Sequence, residues 1–291
     1  MAPRVTIGIC AKNAEKTISA AIESAISQDY PHHLLELILV DDGSEDKTLK
    51  LMQQYASNTD IAVRIFSSTW KGIGKARNTV VNNAKGEYIV WLDSDQTIEK
   101  EFVKKQVSLM EKNPQAGIAI AQLELREKRN TVLLLELLPA VVEHSCQDWT
   151  KPSKLPGTCG ATYRVMPVKA VGGFDEKIRG LGEDIDMARR IRQAGWTIIT
   201  GKAMFYEMHR SISTWGDLWR RYVNRGFHSR YLYEKNPRFF SLYRMNPISS
   251  FFIAVMYAIR GYRKTKLKIA LLLPFHFSFK MFAWFYGFSK H

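Results

Sequence analysis

The chain has 291 residues, of which 46% are hydrophobic and 24% are charged. This composition excludes a disordered protein, and the length fits one large domain or one domain with an appendage. The three cysteines, Cys10, Cys146 and Cys159, have no metal-ligand spacing, so neither a disulfide framework nor a zinc site is indicated. Residues 1–4 lead straight into a strand pattern without an apolar leader, and we expect the catalytic part to face the cytoplasm.

The first hundred residues alternate between strand and helix patterns. In chain order we predict a strand at 4–10, a helix at 14–27, a strand at 37–40, a helix at 47–57, a strand at 62–66, a helix at 76–84 and a strand at 88–92. The run that ends at Val40 lacks apolar–polar alternation, which is typical of a parallel strand covered on both faces. The alternation predicts an α/β fold with a mostly parallel central sheet flanked by helices.

The middle of the chain contains an apolar run and a basic helix pattern. Residues 124–142 include Glu136 and Pro139, which argue against a membrane span, so we predict a packed helix there. A membrane-facing or dimer surface is the alternative, and an oligomer stays possible. A helix at 185–194 and a strand from 196 follow. Residues 215–230 form either a mobile lid or an ordinary amphipathic helix with a basic face.

The net charge of +14 is concentrated in the last third of the chain. Residues 201–291 carry 16 basic and 3 acidic residues, whereas residues 1–200 carry 26 and 25. Two apolar stretches, 247–259 and 269–288, are separated by Arg260, Arg263, Lys264, Lys266 and Lys268. Clustered cations next to aromatic rings favour an anionic membrane surface. Because Pro274, His276 and Lys280 interrupt the second stretch, we predict helices that lie in the interface rather than cross it.

The basic, apolar segment has two alternative roles. Core helices packed on the sheet domain would leave the basic residues merely solvated, and a basic, aromatic-rich tail could bind nucleic acid, although no RNA or DNA module is recognisable. We favour a peripheral or monotopic protein on the cytoplasmic face of an anionic membrane, with no nucleic-acid partner. The chain is then divided into a domain at 1–230 and a basic, membrane-associating helical extension at 231–291.

Four aspartates follow two apolar strands in the first hundred residues. Asp41 and Asp42 come directly after 37–40, and Asp93 and Asp95 come after 88–92. The carboxyl ends of parallel strands meet at one edge of a sheet, where open α/β sheets bind nucleotides and metals. The pattern therefore predicts an enzyme with its site at this edge.

An ordered set of short motifs includes these aspartates: Val5–Asn13, Val40–Ser44, Gly74–Asn78, Leu92–Asp95, Gly172–Glu176 and Gly182–Asp186. The set resembles the family 2 glycosyltransferases of the GT-A fold over about residues 4–210. One Asp-x-Asp occurs in many surface loops, whereas several motifs in family order are specific. The resemblance implies an inverting sugar transfer from a nucleotide diphosphate, with a UDP-sugar favoured as the donor.

Residues at the ends of the first two strands acquire donor-binding roles from the resemblance. It implies that Asp42 accepts hydrogen bonds from the nucleobase of the donor and that Asp41 lies near the ribose or shapes the turn. Lys12 and Asn13 would also contact the nucleotide, although the chain lacks the proline and aromatic residue that many members have there. The alternative for this turn is a helix cap at Ser44, which is compatible with binding.

The Asp-x-Asp motif is the metal site by resemblance. Asp95 would ligate Mg²⁺ or Mn²⁺, and Asp93 would contact the ribose, the sugar or a metal-bound water. Lys75 and Arg77 lie where the family places cations near the donor phosphates or sugar, but Arg77 could equally pair with a carboxylate of the site. His209 is a further metal or diphosphate candidate, with a structural histidine as the alternative.

The acceptor side is assigned in the same way. The resemblance makes Asp184 the base that deprotonates the acceptor hydroxyl, with Glu183 and Asp186 supporting it. Carboxylates at a helix start can instead merely stabilise the helix dipole. Gly160 and Gly173 would line the acceptor wall, although tight turns alone also select glycine.

The acceptor itself is inferred from the basic tail. We expect a lipid-linked saccharide or surface-glycan precursor, because the enzyme would be held on a membrane. A polyprenyl-phosphate glycosyl synthase is the alternative enzyme, and a catalytically silent membrane partner subunit is the alternative outside catalysis. The chain lacks the Gln-x-x-Arg-Trp motif of processive synthases, which favours one transfer per encounter.

Overall fold

The computed structural model of the protein describes residues 4–125, 130–146, 155–178, 182–208, 214–235, 237 and 245–290. The chain forms two compact units. The sheet unit comprises Met1–Glu124, Asp148–Arg179 and Glu183–Met208, and the helical unit comprises Leu125–Gln147, Gly180–Gly182 and His209–His291. The functional division at residue 230 stays a prediction.

The sheet unit is built on one eight-stranded sheet. Its strands are β1 (Val5–Ala11), β2 (Leu35–Asp42), β3 (Ala62–Ser68), β4 (Tyr88–Trp91), β5 (Gln96–Ile98), β6 (Ala116–Leu123), β7 (Ala161–Arg164) and β8 (Thr197–Glu207). They lie in the order β3-β2-β1-β4-β7-β6-β8-β5. Only β5 and β7 run antiparallel to their neighbours, so the predicted mostly parallel sheet is confirmed.

The helices that the structure describes are, in chain order, α1 (Ile18–Ile26), α2 (Thr48–Ala56), α3 (Ile73–Asn83), α4 (Phe102–Lys112), α5 (Thr131–Cys146), α6 (Val165–Ala170), α7 (Glu183–Gln193), α8 (Trp215–Lys235), α9 (Pro247–Thr265) and α10 (Leu273–Ser289). Single 3-10 turns occupy His32–Leu34 and Lys268–Leu272. Helix α1 begins four residues later than predicted, after a turn in which the Ala14 carbonyl accepts the Thr17 amide at 2.9 Å. Strand β8 is longer than predicted, because β6 and β5 pair with it on its two sides.

The core of the sheet unit explains why the strand ends are fixed. All eight residues of β2 are buried, as its unbroken apolar run predicts. Beside it, Trp91 at the end of β4 packs edge to face against Phe174 and Tyr163, with ring centroids 5.4 and 6.3 Å away. The residues that follow β2 and β4 therefore leave a close-packed interior at defined positions.

The helical unit packs α5, α8, α9 and α10 together. Helix α5 is the packed helix predicted around residues 124–142, and Leu135 and Leu138 on it are fully buried. Helix α9 has clear terminal signals: Asn246 caps its first amides at 2.9 and 3.3 Å, and Lys266 ends it in the left-handed conformation. The segment Lys268–Ser289 is long and apolar enough to cross a membrane by length and composition.

Candidate active site

The predicted aspartates lie at the carboxyl edge of the parallel strands. In the β1–β2 register Ala11 is opposite Asp41, and in the β2–β3 register Asp41 is opposite Ser67. Strand β4 pairs with the other side of β1 and places Trp91 opposite Gly8, so the Asp93 turn also emerges at this edge. One edge of the sheet thus carries both acidic motifs.

The two aspartates of β2 are engaged in different ways. The carboxylate of Asp42 is buried and accepts the amides of Lys71 and Gly72 at 2.9 and 3.1 Å. Asp41 accepts the Ser67 hydroxyl at 3.3 Å through Oδ2, whereas its Oδ1 is buried without a hydrogen-bond partner among the described residues. Asp42 therefore fixes the loop that leads into α3, and Asp41 has a spare acceptor at the site.

An aromatic side chain lies beside the β2 turn. Trp70 follows β3 and is 52% exposed, and the ammonium of Lys12 lies 4.8 Å from its ring centroid. The turn and the Trp70 loop approach closely at Gly43, whose φ is +75° and where a Cβ would be 2.6 Å from the Trp70 amide. Sequence reasoning missed Trp70, although a tryptophan beside a glycine-containing loop was a visible signal.

Asn13 connects the first two loops of the edge. Its backbone has a φ of +51°, its amide donates to the Ser44 hydroxyl at 2.9 Å, and its side-chain oxygen accepts the Glu45 amide at 2.9 Å. The side chain is thus oriented toward the β2 turn, and the Ser44 hydroxyl receives a bond from the neighbouring loop.

Arg77 joins the metal motif to the base motif. The guanidinium, on α3, is 7% exposed, and it donates to Glu183 Oε1 in a short contact and to Asp93 Oδ1 at 3.3 Å. Its plane lies 5.7 Å from the ring centroid of Phe174. Of the two sequence alternatives, the structure contains the carboxylate pair. Lys75, two residues before Arg77 on the same helix, is half exposed with its ammonium 3.8 Å from Glu176.

The environment of Asp93 is strongly acidic. Burial raises the pKa of Asp93, and the charges of Asp95 and Glu207 add to the rise, while Arg77 opposes it. The Cys159 thiol donates to Asp93 Oδ2 at 3.2 Å, and burial beside Asp93 raises the pKa of this thiol well above its usual value. Glu207 at the end of β8 is opposite Gln96 in β5, so it is an acidic neighbour that the motif analysis did not assign.

A divalent cation fits this group by its chemistry. Carboxylate oxygens are the ligands that Mg²⁺ and Mn²⁺ prefer, and mutual repulsion among Asp93, Asp95 and Glu207 would be relieved by positive charge. Within the described part of the chain, no three His, Cys, Asp or Glu side chains form a set that could hold a metal by themselves. His209 lies outside the described residues.

The predicted base lies at the start of α7. Asp184 is partly buried, and its Oδ2 lies 3.4 Å from the amide of Thr158. A Cβ at Gly157 would be 2.7 Å from the same oxygen, so glycine leaves the space that Asp184 occupies. Its neighbour Glu183 is buried, and this burial, together with Asp184, raises the pKa of Glu183 to about 7 against the attraction of Arg77.

The loop before β7 links the two acidic motifs. Its Thr158 amide faces Asp184, and its Cys159 thiol faces Asp93. Gly160, with a φ of +59°, lies against the Phe205 ring, where a Cβ would clash. Packing therefore accounts for this glycine, and its acceptor-side role stays a prediction.

Gly173 and Asp186 also have packing partners. A Cβ at Gly173 would be 2.6 Å from Asn78 Oδ1, and Asn78 holds the backbone of Phe174 through bonds of 2.7 and 2.9 Å. Asp186 is fully buried and pairs with Arg189 and Arg190 at 3.0 and 2.7 Å. These contacts lock the turn and the helix that carry the base motif.

Four of the predicted residues, Asp42, Arg77, Asp93 and Glu183, act electrostatically on one thiol at the sheet edge. Burial raises the pKa of Cys10, at the end of β1, to about 12, with contributions from Asp93, Asp42 and Glu183 and an opposing one from Arg77. Residues from the donor, metal and base motifs are thus electrostatic neighbours of one thiol. The edge thus carries the buried Asp42 turn, the acidic group around Asp93 and the carboxylates at the start of α7, which is an arrangement suited to group transfer.

Comparisons with known proteins identify relatives of this chain. The family model described as Glycosyl transferase family 2 matches residues 6–154. Among curated proteins, TarS of Staphylococcus aureus, a poly(ribitol-phosphate) beta-N-acetylglucosaminyltransferase, is 33% identical over 101 residues, which cover 35% of this chain and 18% of that protein. WfaP of Escherichia coli, a UDP-Glc:alpha-D-GlcNAc-diphosphoundecaprenol beta-1,3-glucosyltransferase, is 36% identical over 107 residues, which cover 37% of this chain and 41% of that protein. The chain therefore spans less than half the length of these two relatives.

A solved structure extends the likeness to the whole chain. The mannosyltransferase PcManGT from Pyrobaculum calidifontis, in complex with GDP-Man and Mn²⁺, matches with a TM-score of 0.69 and 20% identity, covering 100% of this chain and 87% of that one. At this identity the likeness shows the fold, and it confirms the predicted GT-A architecture.

Proposed function

This chain belongs to glycosyl transferase family 2, and from that premise we propose that it is an inverting, metal-dependent enzyme that moves one sugar from a nucleotide diphosphate to an acceptor hydroxyl. The observation that carries the proposal is the bridge formed by Arg77 between Asp93 and Glu183. It keeps the metal motif and the base motif at a fixed separation. A transferase needs such a separation, because the sugar must lie between the leaving group and the attacking hydroxyl.

Asp184 is the proposed general base. It is held by the Thr158 amide, and it is the carboxylate that takes the proton of the acceptor hydroxyl as the hydroxyl oxygen attacks the anomeric carbon. The bond from that carbon to the diphosphate oxygen breaks in the same step, the nucleoside diphosphate leaves, and the configuration inverts. Glu183 pairs with Arg77 and so fixes the start of α7, which carries Asp184.

The donor would occupy the other end of the edge. We propose that the nucleobase of the donor binds at the Asp42 turn and the exposed ring of Trp70, with Asp41, Lys12 and Asn13 nearby. Asp95 would hold Mg²⁺ or Mn²⁺, which when bound neutralises the charge that develops on the diphosphate. PcManGT is in complex with GDP-Man and Mn²⁺, and WfaP is named for a UDP-Glc donor. We favour a UDP-sugar because of the sequence resemblance.

The proposed acceptor is a lipid-linked saccharide or surface-glycan precursor at the cytoplasmic membrane face. Two observations support it: WfaP is named for a diphosphoundecaprenol-linked acceptor, and the last third of this chain is basic and apolar. Gly160, Gly173 and Glu183 would border the acceptor path through the turns that they shape.

The test compares three purified variants with the wild-type protein. Asp184→Asn should retain donor binding, measured as thermal stabilisation by nucleotide-sugars with Mn²⁺, and lose transfer by roughly 100-fold or more, in line with the loss of a general base. Asp95→Ala should lose the Mn²⁺-dependent part of the stabilisation. Asp29→Asn, on the surface and paired with Lys104, is the matched control and should behave as wild type.

The outcomes separate the competing functions. Near-native transfer by Asp184→Asn would refute the base assignment. Product on bare polyprenyl phosphate, but none on a saccharide-bearing lipid, would instead identify a polyprenyl-phosphate glycosyl synthase. Donor binding without turnover on any acceptor would favour a silent partner subunit.

A further inference from the structure

Helix α10 is amphipathic in the reverse sense of a helix on a water-soluble protein. Its polar side chains His276 and Lys280 are buried in the helical unit, whereas Phe275 and Phe282 are 66% and 58% exposed. In water, the ordinary arrangement would place the lysine outside and the phenylalanines inside. The outward face of α10 is therefore suited to an apolar medium.

The buried face of α10 is held by specific polar contacts. Glu136 on α5 accepts the Lys280 ammonium at 3.1 Å, the His276 ring at 3.0 Å and the Tyr222 hydroxyl at 2.7 Å. Burial alone would raise the pKa of Glu136, but Lys280, His276 and Arg225 hold it well below its ordinary value. The carboxylate is thus charged and paired, and breaking such a pair leaves an uncompensated buried charge.

The backbone of α10 also lies directly against α8. A Cβ at Gly287 would clash with the Val223 carbonyl of α8, and a Cβ at Gly226 would clash with the Trp284 carbonyl of α10. Only glycine permits this approach. The side chains of Arg220 and Arg230 on α8 are exposed. The helix that packs against α10 therefore presents charged side chains on its outer surface.

Helix α9 repeats the pattern of α10. Its buried positions are the small residues Ser250, Ala254, Ala258 and Gly261, whereas large apolar residues occupy the opposite face. The two helices are joined by the Phe251 and Phe275 rings at 5.4 Å and by the bond from the Ser278 hydroxyl to the Pro247 carbonyl at 2.9 Å. We define the apolar face by six exposed side chains of the two helices: Phe252, Met256, Ile259, Phe275, Phe282 and Phe285.

Positive charge accompanies the apolar face. Arg260, Arg263, Lys264, Lys266 and Lys268 are exposed at the end of α9 and in the connection to α10. Residues 245–290 contain no aspartate or glutamate. A second copy of this chain would bring the same cations against one another, whereas an anionic lipid headgroup would neutralise them.

We propose that the apolar face inserts into one leaflet of an anionic bilayer while α8 stays on the aqueous side, so that α10 lies in the interface and does not cross. The segment Lys268–Ser289 is long enough to cross, but one side of α10 is packed on α8 and α5 through Gly287 and Lys280, so lipid would contact the opposite side alone. The glycosyl transfer proposed above supplies the reason for a bilayer partner, but the binding is a property of the helical unit alone.

The first experiment measures co-sedimentation of the full chain with vesicles, without donor or acceptor. Binding is expected to phosphatidylcholine vesicles that contain phosphatidylglycerol, to weaken with added salt, and to be at least tenfold weaker with phosphatidylcholine alone. Phe252→Ser with Phe275→Ser should abolish it, and Lys264→Gln with Lys266→Gln should reduce it severalfold. Met166→Ser, which removes an exposed apolar side chain of the sheet unit, is the matched control.

The second experiment determines the orientation. Lys290→Cys and Ser57→Cys are each labelled with a membrane-impermeant maleimide after binding to sealed vesicles, and the increment over the parent protein is compared. Equal labelling of both positions is expected, because the carboxyl end of α10 at Lys290 stays on the outer side of the vesicle, as Ser57 in the sheet unit does. Protection of position 290 until detergent is added would overturn the proposal in favour of a span.

Failure of this proposal and failure of the proposed enzyme are distinguishable. Asp184→Asn should bind vesicles as wild type does, since the residue lies in the sheet unit. Equal binding to neutral and anionic vesicles would refute the role of the basic residues. A stable dimer that Phe252→Ser disrupts, without vesicle binding, would identify the apolar face as a contact between copies and overturn the membrane assignment.

Discussion

Removing the Arg77 cation tests whether the two acidic motifs depend on one bridge. Arg77→Met keeps much of the side-chain volume but leaves the buried Glu183 without its counter-charge and removes the Arg77 donor from Asp93 Oδ1. The guanidinium is 7% exposed and the Glu183 side chain is 5% exposed, so solvent cannot replace the lost pairing. Breaking a buried ion pair from one side costs roughly 3–5 kcal/mol, and we expect a loss of stability in that range.

A double-mutant cycle combines Arg77→Met with Glu183→Gln, which removes the charge that Arg77 neutralises. The double variant should be more stable than Arg77→Met by about 1–3 kcal/mol, because contacting charges are not additive. Urea unfolding followed by tryptophan fluorescence gives the four free energies. The deficit of Arg77→Met should grow as the pH rises, since Glu183 without Arg77 stays protonated to higher pH. Strict additivity of the two substitutions at every pH would refute the bridge.

The base motif supports two further predictions. The pKa of Glu183 is raised from 4.5 to about 7, so between these pH values the folded state binds a proton that the unfolded state has lost. The stability that the protonated carboxyl contributes is therefore present below pH 4.5 and should be lost as the pH rises through 7. In urea titrations, the stability of the wild type relative to Glu183→Gln should decline by on the order of 1–3 kcal/mol over this range, and an unchanged difference would contradict the assignment. Gly157→Ala should lower the kcat of transfer by roughly 10–100-fold with a nearly unchanged Tm, because the added methyl displaces Asp184 Oδ2. The control is Gly216→Ala, where a Cβ meets nothing closer than 3.6 Å and kcat should not change. Equal rates for both variants would show that Asp184 need not occupy its observed position.

The sheet was predictable where its signals are local. Apolar runs that alternate with helical patterns predict the strands β1 to β4 and their parallel direction. Each β-α-β unit is a local feature, because its two strands and its helix lie within about 40 residues of the chain. The antiparallel strand β7 and the order in the far half of the sheet were not predictable. Strand β7 is four residues long and pairs with β4 and β6, which are distant in sequence. Such pairings are determined by tertiary packing and leave little pattern in the chain.

The acidic edge of the sheet was predictable, whereas the contacts within it were not. Strand-end aspartates identify an acidic edge, and the resemblance assigns roles to Asp42, Asp95 and Asp184. The sequence could not decide between the two alternatives for Arg77, since its partner Glu183 is 106 residues away. Glu207 and Cys159 were also missed as neighbours of Asp93, because each reaches it from a different strand or loop.

The helical unit shows why periodicity alone misplaces the two faces of a helix. By pattern, His276 and Lys280 would be assigned to the aqueous side of α10, and the phenylalanines to the interior. The arrangement is reversed because Glu136, 144 residues before Lys280, supplies a buried counter-charge. Once that carboxylate is in place, turning the lysine outward would leave it uncompensated, and the aromatic residues must occupy the other face. A single acidic residue in α5 thus accounts for which side of α10 is exposed.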